Sequence, residues 1–334
     1  MPSLQLFFGR HIHLHAAGGL EEFKAGRFKR INALIGSDKR SLRSILHALL
    51  KLRIKIVQPC GIANHESQGI NVSVQREIMD HFKNVFSLEG RTALIVGGGG
   101  LGLPIAQALM ENGADIIVAD LKEPEGWIGD LAKENGRRFF YVHVNLLEDD
   151  SIVKMVAEAR QKTGRIDILV NAAGVNKLKK AEDYDAQTWD FVLGINLRAL
   201  HLTTKEVGKL MIEQGYGRIL SISSVKSLIG TDQDYIAYCA SKGAVNMYTK
   251  QLACEWGKYG ITVNAIAPTF TRTPINSFQL DDPAFYNKLV ERIPRGRICT
   301  TKDLGCAAVY LCSDAAEFVS GQVLCVDGGL TAKQ

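Results

Sequence analysis

Tyr238 and Lys242 stand four residues apart in Tyr-Cys-Ala-Ser-Lys. On a helix that spacing puts both side chains on one face, with their heads able to converge on one ligand. A phenol has an ordinary pKa of about 10 and is a poor base near neutrality. A neighbouring ammonium, together with the positive charge of a bound oxidised cofactor, favours the phenolate and brings that value down. Such a pair can take a proton from an alcohol as its carbon gives up hydride, or return one to a ketone. Fourteen residues before Tyr238, the run Gly217 to Ser224 reads as a strand that ends in paired hydroxyls. A hydroxyl at that strand end can bond the reacting oxygen and stabilise its developing charge. Strand alternation favours Ser224, since Ser223 would face the other way if the strand continues, though turn geometry could exchange the two. Asn196 sits among apolar residues in a long helical stretch, either as a satisfied buried amide or as a water relay. Taken alone, Tyr-x-x-x-Lys also describes an ordinary solvated helix face, so the surrounding elements decide.

The first of those elements is Thr92 to Gly102. Thr92–Val96 is a short apolar run suited to a strand buried on both faces. Four glycines follow, then a stretch from Pro104 with helical spacing. Strand, glycine turn and helix aim free backbone N–H groups at a phosphate. Gly97, Gly99 and Gly102 match G-x-G-x-x-G, with Gly100 and Leu101 inside the turn, and Asp120 lies eighteen residues beyond Gly102. The expected pyrophosphate site is the N–H groups from Gly99 to Leu103. Asp120 ends a second apolar strand, where its carboxylate can accept from ribose hydroxyls and would repel a 2′-phosphate. With Lys122 the one nearby cation, NAD is expected in preference to NADP. Asn145 and Leu146 end a third strand near the adenine. Asn171, Ala172 and Gly174 end a fourth, where small residues let the backbone come close.

From Val85 onward apolar runs alternate with amphipathic segments. Strands are expected at 92–96, 115–119, 138–144, 166–170, 217–222, 261–266 and 322–326. Helices are expected at 102–112, 126–135, 149–163, 186–213, 236–258, 283–291 and 302–313. This alternation predicts an α/β fold, a Rossmann-type doubly wound parallel sheet of about seven strands, with ligands at the strands' C-terminal ends. The expected organisation is one such domain over 85–334 behind an N-terminal extension over 1–84.

The +5 net charge of the 334 residues is unevenly placed. Residues 1–80 hold twelve Lys/Arg against six Asp/Glu, a net of +6, which leaves −1 for 81–334. The main domain therefore has no electrostatic support for binding nucleic acid. In the extension, Ser41 to Val57 reads as a basic amphipathic helix suited to a membrane surface or an import signal, although Glu21, Glu22 and Asp38 interrupt a transit peptide. The extension reads most simply as a loosely docked segment, and Met79 is an alternative start. No run has the roughly 18 apolar residues of a membrane span. Seven cysteines without a C-x-x-C pair read as reduced thiols of a cytoplasmic protein. His11, His13 and His15 lack further ligands at metal spacing, so no metal is expected.

Together these motifs resemble the short-chain dehydrogenase/reductase family from about Leu88 to Thr331. The resemblance implies a tetrad on Asn196, Ser224, Tyr238 and Lys242, with Tyr238 as acid/base and Lys242 lowering its pKa and holding the ribose. It also places a nicotinamide-contacting loop on Pro268 to Thr273, where Thr271 and Thr273 meet the carboxamide, and it implies a homotetramer or homodimer. The chain departs from the family pattern in several places. Val96 stands for the usual Thr and the glycine turn is one residue shorter. Ala172 replaces an Asn, Thr269 a Gly and Asn145 an Asp, and the Ser224-to-Tyr238 interval is longer by one at the rim Thr231 to Asp234. The implied activity is NAD(P)-dependent interconversion of a secondary alcohol and a ketone on a small-molecule substrate. Arg292, Arg295 and Arg297 lie in a stretch similar to sugar-acid dehydrogenases of the gluconate kind, and also to 3-oxoacyl-carrier-protein reductases. A non-catalytic dinucleotide sensor or scaffold is the alternative from another class.

Overall fold

The computed structural model describes residues 4–6, 10–12, 84–273 and 277–333. By backbone contacts the chain divides into Met1–Asp80 and His81–Gln334. The first unit contributes a short antiparallel pair, β1 (Leu4–Leu6) and β2 (Arg10–Ile12), in which His11 faces Gln5. The expected helix over 41–57, and His13 and His15, lie outside the described residues.

The second unit is a seven-stranded sheet, every neighbouring pair parallel, in the order β5-β4-β3-β6-β7-β8-β9. Its elements in chain order begin with β3 (Thr92–Val96), α1 (Gly102–Glu111), β4 (Asp115–Asp120) and α2 (Trp127–Glu134). Next come β5 (Phe139–His143), α3 (Asp149–Thr163), β6 (Ile168–Asn171) and α4 (Ala186–Leu193). After α5 (Leu200–Gln214), β7 (Gly217–Ile222), α6 (Ile236–Trp256) and β8 (Ile261–Pro268) follow α7 (Ser277–Leu280) and α8 (Pro283–Val290). The unit closes with α9 (Thr301–Cys312) and β9 (Val323–Val326). Strand order turns back between β3 and β6, so their C-terminal ends open the crevice that parallel sheets use for ligands.

β3, β7 and β8 are buried at every position, which is why apolar residues fill both faces of each strand, with Arg218, Ser221, Thr262 and Asn264 the polar exceptions in β7 and β8. Successive side chains nevertheless serve opposite faces. Ile95 joins Ile105, Leu109 and Leu304 in one core layer. Leu94 and Val96 join Ile152, Met155, Val207 and Met211 in the other.

Two expectations need correction. The helix expected over 186–213 is interrupted: between α4 and α5, Gly194–Ala199 is π-helical. A wider turn of this kind inserts one extra residue and re-aims the side chains beside it; here it carries Asn196. The short helix α7 lay in a stretch for which no element was expected, because four residues are too few for helical periodicity to show. No helix among the described residues is long and apolar enough to cross a membrane.

Asp167, fully buried ahead of β6, accepts from the Thr92 N–H at 2.9 Å and from the Arg165 guanidinium. Asp167→Ala would leave the Thr92 N–H unpaired inside the sheet. It is expected to lower unfolding free energy by about 1–3 kcal/mol, read as a drop in the urea midpoint at unchanged slope, whereas Asp167→Asn retains an acceptor and loses less.

Candidate active site

The glycine turn leaves β3 under tight constraint. Gly97 has φ +98°, and a Cβ there would lie 2.5 Å from the Ala173 nitrogen. A Cβ on Gly102 would lie 1.8 Å from the Gly97 carbonyl oxygen. Neither position can carry a side chain, so the backbones of the turn, of α1's first residue and of the segment after β6 pack directly together. Val96 ties the turn down through its backbone carbonyl, which accepts from the Ala172 and Ala173 N–H groups at 2.9 and 2.8 Å. Any residue at this position supplies that tether; a Thr would add a hydroxyl to it.

Within the turn the N–H groups divide. Gly97 donates to the Ala119 carbonyl and Gly98 to Asp120 Oδ2 at 2.6 Å. Gly102 was expected among the phosphate donors, but its N–H closes the turn onto the Gly99 carbonyl at 2.9 Å, and the residue lies beneath the cleft rather than on its wall. Gly99, Gly100 and Leu101 do line the cleft, and their N–H groups have no backbone acceptor among the described residues. This is a cradle of amides suited to a pyrophosphate. Asp120 lines the same cleft at the end of β4. Its two carboxylate oxygens already accept from Gly98 and, at 2.6 Å, from Leu121, which fixes their position while a second lone pair on each stays available.

One cleft of about 670 Å³ spans from this turn to α6. Its wall includes Gly97, Asn145, Leu146, Ala172, Gly174, Ser224, Tyr238, Lys242, Pro268, Thr271 and Thr273. A volume of this order holds a dinucleotide-sized or drug-sized ligand. Asn145 borders the cleft, but its carboxamide is engaged with Glu148 at 2.6 Å and the Leu147 N–H at 3.2 Å. Asn171 does not reach the cleft. Strand alternation turns its amide inward to Thr204 Oγ1 at 3.0 Å, with Oδ1 unpaired. A further part of the wall had no motif to announce it: Phe191, Ile195, Lys226 and Tyr235. Lys226 and Tyr235 were signalled only by nearness to Ser224 and Tyr238, and Phe191 and Ile195 only by nearness to Asn196; Phe270 lies inside the expected loop Pro268 to Thr273 and also lines the cleft.

The polar heads converge. Ser224 stands beside Tyr238, near enough for its hydroxyl to act on the phenol. Ser223 turns away, its hydroxyl donating to Asn246 Oδ1 at 2.6 Å. Lys242 Nζ lies 5.7 Å from the centre of the Tyr238 ring and donates to the Ile222 carbonyl at 2.6 Å. A Cβ on Gly174 would sit 3.3 Å from Lys242 Nζ and 3.6 Å from Asn196 Oδ1, so β6's exit, the π-turn and α6 meet at one point. Asn196 is a satisfied buried amide: it donates to the Val175 carbonyl at 2.9 Å and Ser241 Oγ at 3.0 Å, and accepts from the Val175 N–H at 2.8 Å.

Among the chain's own groups, burial dominates the electrostatics at the phenol. Tyr238 is enclosed by protein, and that desolvation raises its pKa; the neighbouring Ser224 hydroxyl acts downward and Lys242 is not among the causes. An ammonium facing a ring at that distance and bonded elsewhere does not offset burial. Lys242 itself is pushed down to about 8 by burial. Because its folded pKa lies below the ordinary lysine value of about 10.4, its burial penalty is full below about pH 8 and disappears as pH rises through that interval. Lys242→Met is therefore expected to be more stable than wild type near pH 7, with the advantage shrinking toward pH 10. Paired thermal midpoints across that range check the sign.

A family model described as enoyl-(acyl carrier protein) reductase matches residues 97–331. The chain is 39% identical over 252 residues to a 2-dehydro-3-deoxy-D-gluconate 5-dehydrogenase from Bacillus subtilis, covering 75% of this chain and 98% of the relative. It is 36% identical over 258 residues to an NAD-dependent glycerol dehydrogenase from Listeria innocua, covering 75% and 98%. The crystal structure of a gluconate 5-dehydrogenase from Burkholderia cenocepacia in complex with NADP and tartrate superposes with a TM-score of 0.69 at 34% identity, covering 75% of this chain and 99% of that one.

Proposed function

The chain belongs to the short-chain dehydrogenase/reductase family, and from that premise we propose that it is an NAD-preferring dehydrogenase of a polyhydroxylated acid. The coarser activity, NAD(P)-dependent interconversion of a secondary alcohol and a ketone, is common to the family and to the relatives. The observation that carries the reading is the single cleft that brings Ser224, Tyr238 and Lys242 together with the glycine turn.

In this reading the amides of Gly99, Gly100 and Leu101 hold the pyrophosphate, Asp120 the adenosine ribose and Leu146 the adenine side. Ala172 and Gly174 border the second ribose, and Pro268, Thr271 and Thr273 the carboxamide. The bound nicotinamide supplies the hydride acceptor or donor. Tyr238 exchanges a proton with the substrate oxygen while Ser224 bonds that oxygen and steadies its charge. Lys242 contributes positive charge beside the phenol. Asn196 acts as a positioning residue, pinning the segment at Val175 against Ser241, one residue before Lys242. The preference for NAD rests on Asp120, whose carboxylate is held by two N–H groups with no Arg beside it. Relatives include an NAD-dependent enzyme and one complexed with NADP, so the argument is made from this chain's own charge.

A homodimer or homotetramer is supported by β9, an edge strand with Leu324 exposed and Phe318 wholly exposed just before it. Work in the cytoplasm is supported by six scattered free thiols among the described residues. The family model's description also favours a second reading, reduction of an acyl-thioester substrate.

Tyr238→Phe is expected to lower kcat by about 10²–10⁴-fold and to leave the Kd for NADH nearly unchanged; retained turnover defeats the assignment. The assay panel is sugar acids, polyols and acetoacetyl thioesters, followed by NADH fluorescence. Separately, titration of the wild type with NAD and NADP should show tighter NAD, and Asp120→Ser should narrow the gap. Tighter NADP in the wild type removes the charge argument.

A further inference from the structure

We propose that Lys226 is the carboxylate anchor of this cleft, and that the chain therefore selects an anionic hydroxy acid over a neutral polyol of the same length. The inference rests on the alcohol–ketone reading of the site and narrows its substrate class.

Four observations converge on Lys226. It lies in the single turn Val225–Ser227 that follows β7, and its own N–H donates to Ser224 Oγ at 3.1 Å, which also caps that turn. Its position is thereby tied to the hydroxyl beside Tyr238. Its side chain lines the cleft and its ammonium lies 5.2 Å from the centre of the Tyr235 ring, which in turn packs edge-on at 6.0 Å from Tyr238. The cation thus stands one aromatic ring away from the phenol. Lys226 makes no hydrogen bond or ion pair through Nζ with any described residue. Lys242, the other lysine of the wall, is spent on the Ile222 carbonyl.

The surroundings make this ammonium short of negative charge. Asp120 is the one carboxylate among the described lining residues, and it is committed at the nucleotide end. Burial depresses the lysine's pKa and the positive charge of Arg292 adds to that effect; the Cys239 thiol and the Asp232 carboxylate act in the other direction. Of the three arginines in that stretch, Arg297 is occupied by Asp303 in a two-pronged pair at 2.7 and 3.0 Å, which leaves it no free fork for a ligand. A half-buried lysine with a cationic neighbour and no hydrogen bond or ion pair through Nζ among the described residues gains most from an incoming carboxylate, because that ligand relieves both desolvation and repulsion at once. The uncharged terminal hydroxyl of a polyol offers neither.

The test uses the full chain with NAD and two substrates of one carbon skeleton, D-gluconate and D-glucitol, which differ at the first carbon by carboxylate against hydroxymethyl. Wild type is expected to favour gluconate in kcat/KM. Lys226→Met is expected to lose about tenfold to a hundredfold in kcat/KM for gluconate, the size of one lost charged hydrogen bond, chiefly through KM. Its kcat/KM for glucitol should stay unchanged or rise, and its Kd for NADH should stay unchanged. Lys226→Arg should restore most of the loss for gluconate. An equal loss for both substrates would make Lys226 structural and overturn the proposal, as would undiminished gluconate oxidation by Lys226→Met. Wild type that oxidises glucitol as well as gluconate overturns the anchor while sparing the alcohol–ketone reading. Wild type that binds NADH and oxidises neither, nor any alcohol of the wider panel, overturns both.

Discussion

The cleft depends on one backbone atom, the carbonyl oxygen of Val96. It accepts from two successive N–H groups, those of Ala172 and Ala173, and so fastens the exit of β3 to the exit of β6 at the point where strand order reverses. The consequences are steric. With the two exits this close, Gly97 lies against the Ala173 backbone and Gly102 against the Gly97 carbonyl. Side chains are excluded at both places, and the amides of Gly99 to Leu101 are pushed toward the cleft. A one-residue-shorter turn remains compatible with this arrangement because its closure is made internally, by the Gly102 N–H on the Gly99 carbonyl.

The far wall is assembled by a second convergence, and here the π-turn matters. An uninterrupted helix from α4 into α5 would carry Asn196 at regular pitch. The extra residue in Gly194–Ala199 instead lets its amide bridge Val175 and Ser241. That ties the segment after β6 to α6, one residue from Lys242. In the same way the buried hydroxyl of Ser223 is held by Asn246 on α6, so β7 and α6 are locked in the register that lets Ser224 meet Tyr238. Buried polar groups of this sort are costly unless fully paired. Here they are spent on fixing three elements around one small volume.

Much of this could be read in advance. The seven strands and the larger helices followed from apolar runs bounded by glycine and polar turns, because a parallel sheet covered on both faces demands continuous apolar strands. β3 and β7 end where their apolar runs end, and alternation favoured Ser224 over Ser223. The errors have a common source. Asn171 was assigned to the cleft, Gly102 to the donor set and Asn196 to a plain helix because a motif names residue types and spacing. It does not say which way a strand-end side chain turns, or which N–H the turn consumes.

The sequence by itself determined the layered α/β architecture, the glycine turn, the acid at the end of β4 and the four-residue spacing of Tyr238 and Lys242, since each is a local pattern of size, polarity and period. Only the tertiary structure decided what those residues face. Burial raises the Tyr238 phenol and lowers Lys242 to about 8, a balance that the four-residue spacing does not contain. The structure also placed Lys226, silent in the sequence, on the cleft wall with no hydrogen bond or ion pair through Nζ among the described residues. Desolvation and charge pairing depend on everything packed around a group, and chain neighbours are only a small part of that surrounding.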